Sequence, residues 1–266
     1  MKPTLMILVV LLLGCVTPKE ILTGCDHYSG WCNEIRDLAV QSWKYAQLSK
    51  NVYEQEYQFK VSDLFKRIES FENKAIDFNA ALYQDLESEG YVLVFRGTDS
   101  TLDYRRGNNP FNQEQNSYAL EIFDDIRKKY GAEKLTVAGH SLGGGIATHV
   151  SLNRGNVTSY SFNGSPVFKK NGDFENERYS IVENGEILKL FRAPGREPTQ
   201  LYTSIGCSHG NPVSKHGIQK LATCLTQIAA IESEEARKSL DLNKLEFEYP
   251  KNNSSFMTAC KPTINS

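Results

Sequence analysis

Between Cys32 and about Lys50, apolar side chains recur at Ile35, Leu38, Ala39, Trp43 and Ala46, with polar residues on the opposite side. This spacing predicts a helix that lays one face on a core. The runs Asn79–Tyr83 and Tyr91–Phe95 predict two neighbouring strands, with Glu87-Ser88-Glu89-Gly90 as the turn between them. A polar, turn-rich stretch from Asn108 to Ser117 follows. Tyr118, Ala119, Ile122, Phe123 and Ile126 then restore a helical stripe that should stop at Gly131. Next come a short strand at Lys134–Ala138, a helical run at Ile146–Leu152, and strands at Val157–Phe162 and Ile187–Phe191. Ile218, Leu221, Leu225 and Ile228 mark an amphipathic helix, followed after Ser233 by a charged one. Strands alternating with helices predict an α/β fold around a largely parallel sheet. No internal repeat or dividing linker is visible, and the tail from Tyr249, with Asn252, Asn253, Ser254 and Ser255, reads as loosely ordered.

The first residues stand apart from this pattern. Lys2 precedes an almost unbroken apolar run from Leu5 to Leu13, about half the ~20 apolar residues that a spanning helix needs. That is the pattern of an export signal. The run ends in Leu12-Leu13-Gly14-Cys15, which resembles the lipobox of bacterial lipoproteins. The resemblance implies cleavage before Cys15, lipid on that cysteine, and an exported protein anchored by its N-terminal lipid in the bacterial cell envelope. The expected organisation is a signal peptide at 1–14, a tether at 15–32, the folded domain at 33–248 and a tail at 249–266.

A net charge of −2, with the 23% of charged residues mixed in sign, offers neither a basic stripe nor an acidic tail, so no nucleic-acid partner is expected. Outside the cytoplasm the five cysteines after Cys15 should pair in part. Cys25 with Cys32 is the natural short loop and Cys207 with Cys224 a second pair, which leaves Cys260 over. Their spacing does not form a zinc site, and neither metal nor cofactor is expected.

The segment Gly139-His140-Ser141-Leu142-Gly143 lies between the strand ending at Ala138 and the helix opened by Gly144-Gly145-Ile146. This is G-x-S-x-G in a strand–turn–helix setting, the arrangement of a nucleophile elbow with Ser141 as nucleophile. So sharp a turn brings strand and helix backbones together two residues either side of the serine, and side chains there would collide. The helix behind aims its free amides and positive dipole end at a reacting carbonyl.

Together, Gly139 to Gly145, Val94-Phe95-Arg96-Gly97-Thr98 and Phe162-Asn163-Gly164-Ser165-Pro166 resemble the class 3 (fungal-type) lipase family of α/β-hydrolases, in the family's order and over roughly residues 45 to 230. The resemblance implies carboxylic ester hydrolysis, most often of acylglycerols or phospholipids. It also implies an oxyanion hole formed at Thr98, the residue after Arg-Gly, and by the backbone amide of Leu142.

Of five histidines, His27 precedes the catalytic region, and His140 sits inside the elbow with its side chain directed away from the nucleophile. His149 is eight residues into the helix, about 12 Å along its axis. His209 and His216 remain. The fold's order of nucleophile, acid and histidine, with the histidine just before a helix, favours His216 over His209. Family members place an aspartate in a segment like Asn-x-x-Asp followed by two apolar residues. Here Glu183-Asn184-Gly185-Glu186-Ile187-Leu188 puts Glu186 in that position, a departure by one methylene, with Asp173 and Glu183 as competitors. Glutamate serves in such triads.

Where a lid would lie, Arg105 to Gln113, Phe111 is the one large apolar residue. Weak activation at oil surfaces is therefore expected, with phospholipids or soluble short-chain esters as substrates. Two other readings compete: a non-catalytic envelope lipoprotein that uses the scaffold for binding, and a thioesterase or peptidase with the same triad.

Overall fold

Alternation along the central strands divides the core in two. In β2 (Phe78–Asp85), Phe78, Ala80 and Leu82 enter one apolar cluster while Ala81 and Tyr83 enter the other; in β3 (Tyr91–Phe95), Leu93 and Phe95 face one way and Val92 and Val94 the other. Side chains alternate with period two, so a strand apolar at every position is a strand covered on both faces. The computed structural model describes residues 31–54, 58–97, 113–167, 175–192, 201–208, 210–246 and 260–262.

Among these residues, eight strands form a single sheet in sequence order: β1 (Phe65–Asn73), β2, β3, β4 (Leu135–His140), β5 (Val157–Phe162), β6 (Arg178–Glu183), β7 (Leu201–Ile205) and β8 (Cys260–Pro262). Strands β3 to β7 run parallel, while β1–β2, β2–β3 and β7–β8 pair antiparallel. The fold is that of an α/β-hydrolase, with a mostly parallel central sheet flanked by helices.

One face is covered by α1 (Asn33–Asn51), with α4 (Ile218–Ala229) packed along it and α5 (Glu234–Asn243) beyond. Trp43, Leu48, Leu221 and Leu225 are buried there. The buried Gln47 amide is satisfied by Thr226 Oγ1 at 2.9 Å and Ser239 Oγ at 3.0 Å, which ties the three helices together. The other face carries α2 (Gln113–Tyr130) and α3 (Leu142–Asn153), with Phe123, Ile126, Ile146 and Val150 inside. Helix α2 ends at Gly131, whose φ of 62° is a conformation that glycine adopts freely. No helix among the described residues is long and apolar enough to cross a membrane.

Strands β1, β6 and β7 lie where the sequence pattern predicts none, and three predicted features differ. Ile187–Phe191 is not a strand: Ile187–Leu190 forms a single 3₁₀ turn, because the Glu186 carboxylate accepts from the Leu188 amide and caps it. The strand in that region is β6, just upstream. The tail contributes β8, paired with the sheet edge at β7, although it was expected to be loose throughout. Helix α2 begins at Gln113, inside the stretch expected to turn.

A disulfide joins Cys207 to Cys224, the second of the two expected pairs. Cys25, the expected partner of Cys32, lies outside the described residues, as do Cys15 and the signal segment.

Candidate active site

The carboxyl ends of the parallel strands meet at Ser141, which joins β4 to α3. Its φ of 56° and ψ of −125° lie outside the regions where residues with a side chain rest easily. Strain of this kind persists only where surrounding structure enforces it. The enforcement is visible in the packing. A Cβ on Gly139 would run into the Gly143 backbone and come within 2.8 Å of the Gly144 nitrogen; one on Gly143 would run into the Phe95 carbonyl oxygen of the neighbouring strand. The turn is therefore closed by backbone on backbone. The Ser141 amide donates to Phe162 O at 3.1 Å, and Ser141 O accepts from Ser165 N at 2.8 Å. As the first residue of α3, Leu142 has an amide with no intrahelical acceptor.

The Ser141 side chain meets an imidazole. Its hydroxyl is 3.0 Å from His216 Nε2, and His216 Nδ1 is 2.8 Å from Glu186 Oε2. A carboxylate can only accept, so Nδ1 carries the proton and Nε2 is free to accept from the serine hydroxyl. Glu186 is buried; its Oε2 also accepts from Leu188 N at 2.8 Å, and its Oε1 accepts from Arg192 Nη1. Arg192 is buried too and donates through Nε to Gly164 O at 2.7 Å. Burial acts to raise the Glu186 pKa, but the His216 hydrogen bond, the Arg192 charge and the Leu188 amide outweigh it and hold the carboxyl below its ordinary value.

The structure thus brings together Ser141, His216 and Glu186, with the Leu142 amide beside them at the start of α3. Glu183 does not reach the histidine. Its buried carboxylate accepts from Cys207 N and Ser208 N, each at 3.0 Å, and burial pushes its pKa up to about 7. His149 sits on α3 against Asn153. Thr98, Asp173 and His209 lie outside the described residues. Arg192 escapes sequence reading, since a lone arginine six residues beyond Glu186 carries no motif.

Two further groups gather behind the relay. Asn163, at the end of β5, donates to His216 O at 3.0 Å and accepts from Glu183 N at 2.7 Å. The His140 ring makes its hydrogen bonds to groups other than the nucleophile. Its Nε2 is 2.7 Å from His216 O and its Nδ1 2.9 Å from Tyr53 Oη, which accepts from Gly97 N at 3.1 Å.

Residues 44–176, half of the 266-residue chain, match a family model described as phospholipase-like, a Tle-like phospholipase domain. The chain belongs to this family. The Tle-like match takes in Tyr53, Gly97 and the whole elbow, and it ends before Glu186 and His216, whose place in the site rests on the geometry above. The expectation of a lipase-like α/β-hydrolase is met at the level of a phospholipase-like domain.

No curated protein sequence gives a significant match. Solved structures similar to this Tle-like chain include a triacylglycerol lipase from Penicillium expansum, at 11% identity and a TM-score of 0.49, covering 68% of this chain and 89% of that one. Another is a nonglycosylated lipase from Yarrowia lipolytica, at 18% identity and a TM-score of 0.48, covering 64% and 80%. A third is a lipase from Rhizopus microsporus var. chinensis, at 14% and 0.47, covering 73% and 82%.

Proposed function

We propose that this protein is a serine carboxylic ester hydrolase acting on lipid esters, of lipase or phospholipase A type, through an acyl-enzyme on Ser141. The supporting observation is the unbroken relay from Glu186 through His216 to the Ser141 hydroxyl at the head of a helix. In the first half-reaction His216 Nε2 takes the serine proton as Oγ bonds to the ester carbonyl carbon, and the carbonyl π pair moves onto oxygen. When that pair returns, the alcohol oxygen leaves and collects the proton from His216. Water then attacks the acyl carbon, its proton passes by way of His216 to Ser141 Oγ, and the free acid departs. Glu186 stays ionised throughout; it fixes the imidazole tautomer and stabilises the imidazolium. The Leu142 amide and Thr98 are assigned to the oxyanion, and loss of one such donor slows catalysis by about a hundred- to a thousandfold.

Membership of a phospholipase-like family supports phospholipid over triglyceride as substrate, and the sparse apolar content of residues 105 to 113 supports weak interfacial activation. The export signal and the Leu12-Leu13-Gly14-Cys15 segment support a lipid-anchored protein of the bacterial cell envelope, with Cys15 as attachment point. A fluorophosphonate probe should label the wild type and not Ser141→Ala. Purified wild type should release fatty acid from defined phospholipids. Absence of both labelling and release would overturn the enzymatic reading, and a steep rate rise as a triglyceride emulsion passes its solubility limit would overturn weak activation. Partition of the full-length chain into detergent should be lost in Cys15→Ser.

A further inference from the structure

The middle position of the Gly139-His140-Ser141 turn holds a buried imidazole bonded at both nitrogens. The proton on each link is settled by its neighbours. The His216 carbonyl can only accept, so His140 Nε2 carries the ring proton; Nδ1 is then bare and must accept from the Tyr53 hydroxyl. Tyr53 Oη in turn accepts from the Gly97 amide. The three bonds form a directed chain from the end of β3 to the backbone of the histidine that faces Ser141. Its central residue is covalently next to Ser141, so the chain closes a ring around the nucleophile: Ser141 to His216 through Oγ and Nε2, and His216 back to His140 through its carbonyl.

We propose that His140 and Tyr53 are positioning residues, which hold the strand end leading to the Thr98 donor and the loop carrying His216 in one register about Ser141. This inference rests on the ester-hydrolase reading. Acyl transfer needs base, nucleophile and oxyanion donors aligned at the same moment, and a misplacement of about 1 Å can cost roughly a hundredfold in rate. His140 is also suited to the task by its charge. Burial, and after it the neighbouring His216, hold its imidazole well below the ordinary value, so it stays neutral. Its ring centroid is 4.8 Å from that of His216, and a cation there would oppose the protonation of the base during the reaction. Asn163 donates to the same carbonyl, so loss of the His140 bond shifts the base rather than releasing it.

The test compares wild type, Tyr53→Phe, His140→Phe, His140→Gln and the Tyr53→Phe/His140→Phe double variant, on a short-chain p-nitrophenyl ester and on a defined phospholipid, with thermal melts to report folding. His140→Phe should lower kcat roughly tenfold to a hundredfold, with KM within about twofold of wild type. His140→Gln, which keeps a donor for the carbonyl, should recover most of that loss. The double variant should be no slower than His140→Phe, because a chain already cut cannot be cut again. Should His140→Phe fail to fold, Tyr53→Phe carries the test, with kcat expected to fall by about threefold to tenfold. Folded single variants that keep kcat within about twofold of wild type, or losses that multiply in the double variant, overturn the positioning role while the wild type remains an active esterase. A wild type that cleaves no ester overturns the parent reading instead.

Discussion

The two sides of the Ser141–His216 hydrogen bond are built in opposite ways. On the serine side, backbone does the fixing: parallel register between β3, β4 and β5, bare glycines pressed against neighbouring strands, and a helix that starts one residue later. On the histidine side, side chains do it. A buried carboxylate–guanidinium pair, a disulfide and Asn163 hold segments with little regular structure. The contrast teaches that the nucleophile is secured by shape and its base by charge and covalent closure, so different perturbations should reach each.

The largest effect is expected where charge is buried. Glu186→Gln keeps the shape but leaves Arg192 with an uncompensated charge and puts an NH₂ donor in place of one of the two oxygens that hold Arg192 and the His216 tautomer. Stopped assays should show kcat lower by roughly 10⁴, and denaturant melts a loss of about 3–5 kcal/mol, as when one partner of a buried pair is removed. Retention of activity within about tenfold would mean that the histidine is oriented by something else. Next, Cys224→Ser, or reduction of the wild type, opens a loop with a sequence separation of 17 and should lower stability by about 3 kcal/mol. The fluorophosphonate-reactive serine should still be present below the melt.

On the serine side, Gly143→Ala forces a methyl against the Phe95 carbonyl and should cost about 1–3 kcal/mol of stability, read by the same melts. It should also depress labelling of Ser141, whereas a harmless alanine would show that the backbones can part. The smallest effect concerns pH. Burial raises the folded pKa of Glu183 from the ordinary carboxylate value to about 7, so the native state binds the extra proton in between. Its contribution to stability is full below the unfolded value and is lost as pH rises through about 7. Glu186, with its folded pKa depressed, contributes in the opposite sense: its stabilisation is present above the unfolded value and fades in acid. Glu183→Gln should flatten the melting temperature across the near-neutral range and leave the acid limb in place.

The same contrast explains what the sequence disclosed. The elbow could be read because its constraint is local: a strand, five residues and a helix. His216 and Glu186 came from chain order and a family pattern, since their contacts span 75 and 30 residues and leave no periodic trace. Strand β1 went unseen for a physical reason. The register shifts between Arg67 and Glu69, so Ile68 and Phe71 face the same cluster, and apolar residues three apart imitate a helix. In β6 and β7 the apolar residues are diluted by Ser180, Thr203 and Ser204, which sit in the parallel block regardless. Ile187–Phe191 had the composition of a strand but follows Gly185, at φ 75°, and a capping carboxylate. His140 was placed facing away from the serine, but what it faces depends on Tyr53 and the His216 carbonyl, both remote in sequence.

Because the sulfur link between Cys207 and Cys224 encloses position 216, the peptide bearing the histidine is anchored at each end. A protease that nicks this stretch once would leave both fragments joined and the imidazole still attached to the body of the molecule. After a single cut, the fragments part only when a reductant opens the disulfide as well.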